Sequence, residues 1–168
     1  ETRVIAAVNL DLPNMAEPAT GQLISLPERG TPLLNDVIIL NGRYPSSQRP
    51  SEIVVTDAFA SAHGMTVGDS FKAIINGNKR SLEIVGLGMP PEYIYALGPG
   101  SLMPDDRRFG VMWMGRKALA AAFDLDGAFN SVTMALQLGA SEEEVIRRLD
   151  VLLEPYGGVG SYAREDQL

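Results

Sequence analysis

Side chains that could perform nucleophilic or general-base chemistry are few in this chain. It contains one histidine, His63, and no cysteine, which excludes a thiolate nucleophile, a disulfide and a Cys-based metal site. A serine triad would have to use His63, and no G-x-S-x-G turn lies near it. Because His63 ends a short predicted helix, we expect its ring to help satisfy the last carbonyl groups of that helix. These side chains predict no catalytic residue.

Carboxylates are the other groups that could carry out catalysis. Glu92 with Asp105 or Asp106 would be the acid and base of a hydrolase that relies on carboxylates alone. Such a pair needs a shared pocket that separates the two pKa values, and spacing within a loop does not provide one. A free-standing carboxylate-based hydrolase is therefore kept only as an alternative.

Three further patterns have the letters of a binding site without its context. A calcium loop starting at Asp124 would place Ala135 where the bidentate Glu belongs. The segment Gly158 to Ala163 matches G-x-G-x-x-A, but it follows a helix, whereas a dinucleotide site follows a strand. Met112 and Met114 lie on one face of an apolar strand, which is typical of core packing. The sequence predicts no metal and no cofactor.

The overall composition is that of a globular domain with an acidic balance. The 168 residues are 45% hydrophobic and 21% charged, and the formal net charge is −7. That charge repels phosphate backbones, so nucleic acid is not an expected partner. The sequence has no run of about 18 apolar residues and no signal peptide. Because it begins at Glu1 without a methionine and stops soon after a helix, we expect it to be a piece of a longer protein.

Hydrophobic periodicity predicts an α+β organisation with short strands. Strands are predicted over residues 3–12, 22–26, 37–40, 52–55, 71–75, 79–87, 109–114 and 129–138. Helices are predicted over 57–63, 116–123 and from the capping box of Ser141 with Glu144 to Pro155. Thr56 is expected to cap the first helix and Gly64 to end it, and Asn76-Gly77-Asn78 predicts a tight hairpin turn.

The segment from Gly88 to Arg108 is rich in proline and glycine and predicts a long irregular loop. Long loops carry function more often than the elements that they connect. Tyrosine, methionine and arginine are over-represented at interfaces, and this loop contains all three. The residues predicted to contact a partner are Tyr93, Tyr95, Met103 and Arg108.

A set of short motifs between Asn41 and Gly88 stands in one order along the chain. The motifs are Gly42-Arg43-Tyr44-Pro45, Ser51 to Thr56, Ala58 to Gly64, Val67-Gly68-Asp69 and Ile84-Val85-Gly86. In this order they resemble the MacB/FtsX-type family of ABC transporter permeases, in the large domain between the first and second membrane helices of that family. The strand at 109–114 and the segment Glu154 to Gly158 are similar to permeases of this type as well.

The resemblance implies a two-lobed extracytoplasmic domain, the MacB-like periplasmic core. One lobe, of βαβ type and nearer the membrane, would comprise residues 1–36 and 128–168, with part of it upstream of Glu1. The other lobe, rich in β-strands, would be inserted as residues 37–127.

The resemblance also implies a function without catalysis. ATP would be hydrolysed by a separate subunit or domain, and this domain would couple that motion to a substrate or partner outside the cytoplasm. The expected partners are the ATPase subunit, the membrane helices of the same transporter, and a periplasmic protein or a transported lipid, lipoprotein, peptide or drug. The parent protein could be a homodimer. A structural subunit of an extracellular assembly is a further alternative.

Overall fold

A computed structural model describes residues 1–13, 15, 19–92, 98, 103–158 and 160–163 of the chain. The chain divides into two units, Glu1–Thr133 and Met134–Leu168. Among the described residues, no helix is both long and apolar enough to cross a membrane.

The first unit combines a sheet-rich core with two short helices, as the α+β prediction expects. The strands are β1 (Thr2–Arg3), β2 (Ile5–Asp11), β3 (Ala19–Leu26), β4 (Ile38–Gly42), β5 (Glu52–Thr56), β6 (Ser70–Ile75), β7 (Asn78–Met89), β8 (Phe109–Gly115) and β9 (Ser131–Val132). The helices are α1 (Asp57–His63), after β5, and α2 (Arg116–Ala122), after β8.

Six of these strands pair around a closed ring. The seven-stranded sheet has the order β4-β7-β5-β8-β3-β2-β6, and β6 also pairs with β7. Strand β7 makes this closure possible because it is long: Asn78 to Glu83 pair with β6, and the half after Glu83 pairs with β5 and β4. The result is a small barrel of mixed strands, with β3–β8 and β5–β7 parallel and the other ring pairs antiparallel.

Alternation along the strands separates two apolar cores. The first core is formed by the side chains that point to one face of the ring strands, together with Phe59 of α1 and Leu119 of α2. Its buried residues on the ring strands include Val8, Leu10, Leu23, Ile53, Val55, Phe71, Leu82, Ile84, Met112 and Met114. The second core lies on the opposite face of β3, β5 and β8 around Trp113, and the segment with Val37 and Tyr44 packs against it.

Local sequence signals predicted several elements correctly. The helix α1 covers 57–63 as predicted, and Gly64 ends it with a φ of 64°. Asn76 and Gly77 both have positive φ, which gives the turn that joins β6 to β7 the twist that an antiparallel hairpin needs. Thr56 precedes α1 as predicted, although its hydroxyl accepts no hydrogen bond from the described backbone of the helix.

The predicted strand over 129–138 is wrong for most of its length. In the described chain only Ser131–Val132 forms a strand, paired with Thr2 and Arg3 of β1. The apolar residues that alternate beyond it are exposed: Met134 by 50% and Leu136 by 40%. Alternation of apolar residues indicates that a segment can form a strand. A strand also needs a neighbouring strand whose backbone N–H and C=O groups pair with its own.

The first unit places strands of both predicted lobes in one sheet. Strands β2 and β3 lie within residues 1–36, whereas β4 to β8 lie within 37–127, and β3 pairs with β8 over seven residues. The division of the chain into two lobes at these boundaries stays a prediction.

The second unit contains α3 (Glu142–Leu153), followed by a 3-10 turn at Glu154–Tyr156. The predicted capping box is confirmed on the N-terminal side, where the Ser141 hydroxyl accepts a hydrogen bond from the Glu144 amide at 3.4 Å. The Glu144 carboxylate pairs with Arg147 and Arg148 one turn further on. The exit through Pro155 ends at Gly157 with a φ of 74°, as the sequence predicts.

Candidate functional site

The lone histidine is engaged with the backbone of a distant segment. His63 Nε2 donates a hydrogen bond to the carbonyl oxygen of Arg107 at 2.9 Å, and its ring lies 4.7 Å from that of Phe59. The last carbonyls of α1 are instead satisfied by the amide of Gly64, which bonds to Ala60 and Ser61. His63 therefore joins α1 to the end of the 88–108 segment, and the role predicted for it at its own helix is wrong.

The carboxylates of the alternative hydrolase are bound to separate partners. Glu92 is nearly buried and receives two hydrogen bonds from the Arg3 guanidinium, at 2.6 and 3.0 Å. Asp105 accepts a hydrogen bond from the Arg107 amide at 3.0 Å and lies 3.7 Å from Arg108. A carboxylate that accepts two hydrogen bonds from one guanidinium is fixed in orientation and already paired with a positive charge. This arrangement gives no support to the hydrolase alternative.

Of the four predicted contact residues, two can be placed. Met103 is 74% exposed and the Arg108 side chain is 68% exposed, so both are accessible to a partner. Tyr93 and Tyr95 lie outside the described residues. The contact role of all four stays a prediction.

A fully buried acidic side chain of the first unit, Glu52, was not singled out from the sequence as a candidate site residue. The Glu52 side chain is completely buried at the start of β5, and its carboxylate accepts hydrogen bonds from Arg43 at 2.7 Å to each oxygen. The Ser46 amide donates at 2.8 Å and Arg49 at 3.2 Å. Through these four bonds, Glu52 fixes the whole 43–52 loop against the barrel.

These contacts lower the pKa of Glu52 to about 2. The largest cause is the hydrogen bond from Arg43; burial acts in the opposite direction, and the Ser46 amide and Arg49 lower the pKa further. The sequence contains an indication of this pair. Glu52 is the first residue of a buried strand, and Arg43 and Arg49 lie on the loop before it. Because a buried carboxylate is stable only when it is paired, these arginines are its expected partners.

Glycines allow two segments of the motif set to lie directly against each other. Gly42 has a φ of 81°, and a Cβ there would collide with the carbonyl oxygen of Val85. Across this contact the Arg43 amide donates to the same Val85 oxygen at 2.9 Å. At Gly86, a Cβ would meet the Arg43 carbonyl oxygen at 2.5 Å. Only glycine fits at both positions, which explains why G-R-Y-P and I-V-G occur together.

The turn Val67-Gly68-Asp69 is bonded to the same part of β7. The Gly68 amide donates to the Ile84 carbonyl at 2.8 Å, and the Ile84 amide donates to the Asp69 carbonyl at 2.9 Å. The Asp69 carboxylate accepts from the Thr66 amide at 2.8 Å, which holds the turn. Four of the five motifs that carry the family resemblance are thus bonded to one another around β5 and the second half of β7, and the fifth, Ala58 to Gly64, follows β5 directly as α1. We call residues 42–69 and 83–88 the β5–β7 unit.

Metal binding finds no support in the part of the chain that the structure describes. No group of three or more His, Cys, Asp or Glu side chains there is arranged to hold an ion. The predicted absence of metal and cofactor sites stays a prediction.

Comparison with known proteins finds similar solved structures. No protein-family model and no curated protein sequence matches the chain. One similar structure is the extracellular domain of the noncanonic ABC-type transporter YknZ from Gram-positive bacteria, with 13% identity over 91% of this chain and 74% of that chain and a TM-score of 0.49. Another is a domain of a protein from Porphyromonas gingivalis assigned as a permease, with 14% identity over 92% and 68% and a TM-score of 0.41.

Proposed function

We propose that this chain is an extracytoplasmic domain of an ABC transporter permease of the MacB/FtsX type. It would have no catalysis of its own and would couple ATP-driven motion of the transporter to the handling of a substrate or partner outside the cytoplasm. The observation that carries the proposal is the β5–β7 unit. Motifs up to about 45 residues apart resemble one family, and in the structure they bond to one another around Glu52 and Gly42.

This observation supports the proposal because it joins two independent signals. A chance resemblance in short motifs would place the matched residues without regard to one another. Here four of the five motifs contact one another: Arg43 binds Glu52, the Arg43 amide donates to the Val85 carbonyl, and the 67–69 turn bonds with Ile84. The motif order therefore corresponds to a physical unit that a family would preserve as a whole.

The location is tested by labelling in intact cells. The chain contains no cysteine, so Met103→Cys in the parent protein adds one thiol to this domain at a position that is 74% exposed. Leu33→Cys, at 90% exposure, provides a second position on the same unit. A membrane-impermeant maleimide should label both in intact cells. Labelling that requires permeabilised cells would overturn the extracytoplasmic assignment.

The 88–108 segment is the proposed partner surface, with Tyr93, Tyr95, Met103 and Arg108 as its contacts. Met103→Ser should weaken partner binding or transport while leaving thermal stability nearly unchanged, because the side chain is exposed. Leu33→Ser is the matched control, since it removes an apolar side chain elsewhere that is 90% exposed. The double variant Tyr93→Ser with Tyr95→Ser should also weaken partner binding or transport, and Tyr156→Ser is its control. A large loss of thermal stability in the double variant would show that the two tyrosines belong to a core.

The two-lobed arrangement of the family is part of the proposal. It would place residues 1–36 and 128–168 in one lobe and 37–127 in the other. Excision of residues 37–127 tests this division, because an inserted lobe can be removed with its host lobe still folded.

A further inference from the structure

The open edge of the seven-stranded sheet lies along β4. Among the described strands of this sheet, β4 alone has a single neighbour, β7, because the pairing of β6 with β7 closes the other six strands into the ring. A strand at an edge presents unpaired backbone N–H and C=O groups along its free side. Closure of a ring removes such edges, so the edge of β4 is where a further strand can bond.

Exposed apolar side chains lie along this edge. Ile38 of β4 stands directly opposite Met89 of β7, and the two residues are 50% and 51% exposed. Leu40, at the register shift between the two strands, is 54% exposed. Strand β4 contains no charged side chain, although charged residues are what proteins commonly place on an edge strand to block pairing. The edge is therefore both unpaired and apolar.

The backbone of β4 is fixed at both ends and on its inner side. Val37, just before the strand, is buried in the second core, and its carbonyl accepts a hydrogen bond from the Tyr44 hydroxyl at 3.0 Å. After the strand, the Arg43 amide donates to the Val85 carbonyl at 2.9 Å. Within the strand, Ile39 packs against the second core. Because the edge is already ordered, a strand that binds to it does not have to supply the free energy of ordering β4.

The chemistry of the edge indicates its occupant. A row of backbone N–H and C=O groups is matched by the backbone of another extended segment, and strand addition of this kind is an established mode of peptide recognition. In that mode, main-chain hydrogen bonds supply affinity and side-chain contacts supply specificity. An apolar edge without charges favours an uncharged segment, because a charged side chain laid on it would lose water and gain no counter-ion.

A second copy of this chain matches the edge less well. Strand β4 would contribute five residues a side, against about 20 to 30 a side in a standard interface. Two chains with a formal net charge of −7 also repel each other. Size and charge therefore favour a segment of a different polypeptide.

We propose that the open edge of β4 binds an extended, uncharged and apolar segment of a partner protein, which joins the sheet as a further strand. Ile38 and Leu40 pack against the side chains of the added strand. The inference rests on the proposed function for the location of the partner, outside the cytoplasm. The binding itself is a property of this chain.

Binding is tested with the complete chain and a synthetic peptide. The probe is a short fluorescent peptide of alternating valine and threonine, both strong strand formers, with lysines at its end for solubility. The control peptide has proline in place of each threonine, which removes backbone donors and leaves the charge unchanged. Fluorescence anisotropy should show saturable binding of the probe, and the control peptide should bind at least about tenfold more weakly because it cannot complete the ladder.

Variants of the chain show where the probe binds. Ile38→Lys and Ile38→Glu place opposite charges on the open edge, and both should weaken binding by about tenfold or more because the charge is desolvated without a partner. Agreement between them excludes repulsion from the lysines of the probe as the cause. Ile74→Lys is the matched control, since Ile74 is 40% exposed on β6, which pairs with β2 and with β7. Thermal unfolding checks that the variants are folded.

Saturable binding that both Ile38 variants weaken and Ile74→Lys leaves unchanged supports the proposal. No binding of the probe, equal binding of the control peptide, or the same effect of Ile38→Lys and Ile74→Lys overturns it. Sedimentation velocity of the chain tests the competing occupant. A dimer that Ile38→Lys dissociates would show that a second copy covers the edge, which also overturns the proposal. These measurements do not involve the maleimide labelling in cells, so a failure of the proposed function is distinguished from a failure of this inference.

Discussion

At the scale of single residues, Glu52 is a buried acid whose hydrogen bonds should stabilise the first unit. Its carboxylate has no solvent exposure and accepts hydrogen bonds from Arg43, Arg49 and the Ser46 amide. Glu52→Gln keeps the shape but turns one acceptor into a donor that faces other donors, so we expect a loss of about 2 to 3 kcal/mol in the free energy of unfolding. Urea unfolding measures it. Asp11→Asn, in the exposed pair with Lys79, should change little.

The same residue predicts how stability changes in acid. The pKa of Glu52 falls from 4.5 to about 2 on folding, so the unfolded chain binds a proton in a range where the folded chain does not. The stabilisation, about 3 kcal/mol, is complete above pH 4.5 and is lost as the pH falls toward 2. Wild type should therefore lose stability more steeply than Glu52→Gln between these values. Parallel pH profiles would contradict the assignment.

Tyr44 predicts how the stability changes at alkaline pH. Burial, together with the hydrogen bond that its hydroxyl donates to Asp36 at 2.8 Å, raises its pKa from 10 to about 12. The folded chain therefore holds a proton that the unfolded chain releases, and stability should fall as the pH rises from 10 toward 12. Tyr44→Phe removes the hydroxyl and should flatten the profile over this range. Thermal unfolding at stepped pH measures both variants.

At the scale of elements, β8 contains two glycines that the sequence alone does not distinguish. A Cβ at Gly110 would lie 2.7 Å from the ring of Phe59, which is fully buried in α1, whereas a Cβ at Gly115 meets nothing within 4 Å. Gly110→Ala should therefore cost about 1 to 3 kcal/mol through overpacking of α1 on the barrel. Gly115→Ala is the control in the same strand; it meets no neighbour, and because Gly115 precedes α2 as its N-cap, where Ala is less favourable than Gly, it should cost about 0.5 to 1 kcal/mol. Equal effects on urea midpoints would show that α1 moves freely away from β8.

Elements that depend on local chemistry were the ones that the sequence predicted well. The turn at Asn76-Gly77 and the stop at Gly64 need positive φ, and the residues that tolerate it stand at those positions. The strand over 129–138 was predicted from alternation alone, and beyond Val132 no described strand pairs with it. Ring closure was not foreseen, because it requires β6, which forms the local hairpin with β7, to pair also with β2 about 60 residues away. Alternation of apolar residues carries no information about which strand is the neighbour.

The site was predicted less well than the fold, for a related reason. The motif letters around Glu52 indicated a family, but the bond from Arg43 to Glu52 becomes visible only when the 43–52 loop folds back on β5. Arg3 and Glu92 lie 89 positions apart, and neither one belongs to a recognisable motif. Long-range ion pairs depend on the closed topology, so sequence patterns that span a few residues do not reveal them.

At the scale of the whole molecule, the first unit contains both apolar cores. All the fully buried core residues named for the barrel lie between Val4 and Ala122, and α3 of the second unit has no fully buried side chain. We therefore expect a chain that ends at Thr133 to fold as a closed barrel with two-state unfolding. Its urea m-value should be that of a domain of its own length, since the m-value follows the surface exposed on unfolding.

The comparison of the truncated and complete chains decides whether the second unit adds to the stability of the first. If the urea midpoint of the barrel is the same in both, Met134–Leu168 adds nothing to the stability of the first unit. In that case Glu92→Gln should lower the midpoint equally in both chains, because both Arg3 and Glu92 belong to the first unit. A barrel that loses cooperative unfolding on truncation would show instead that Met134–Leu168 contributes to the core.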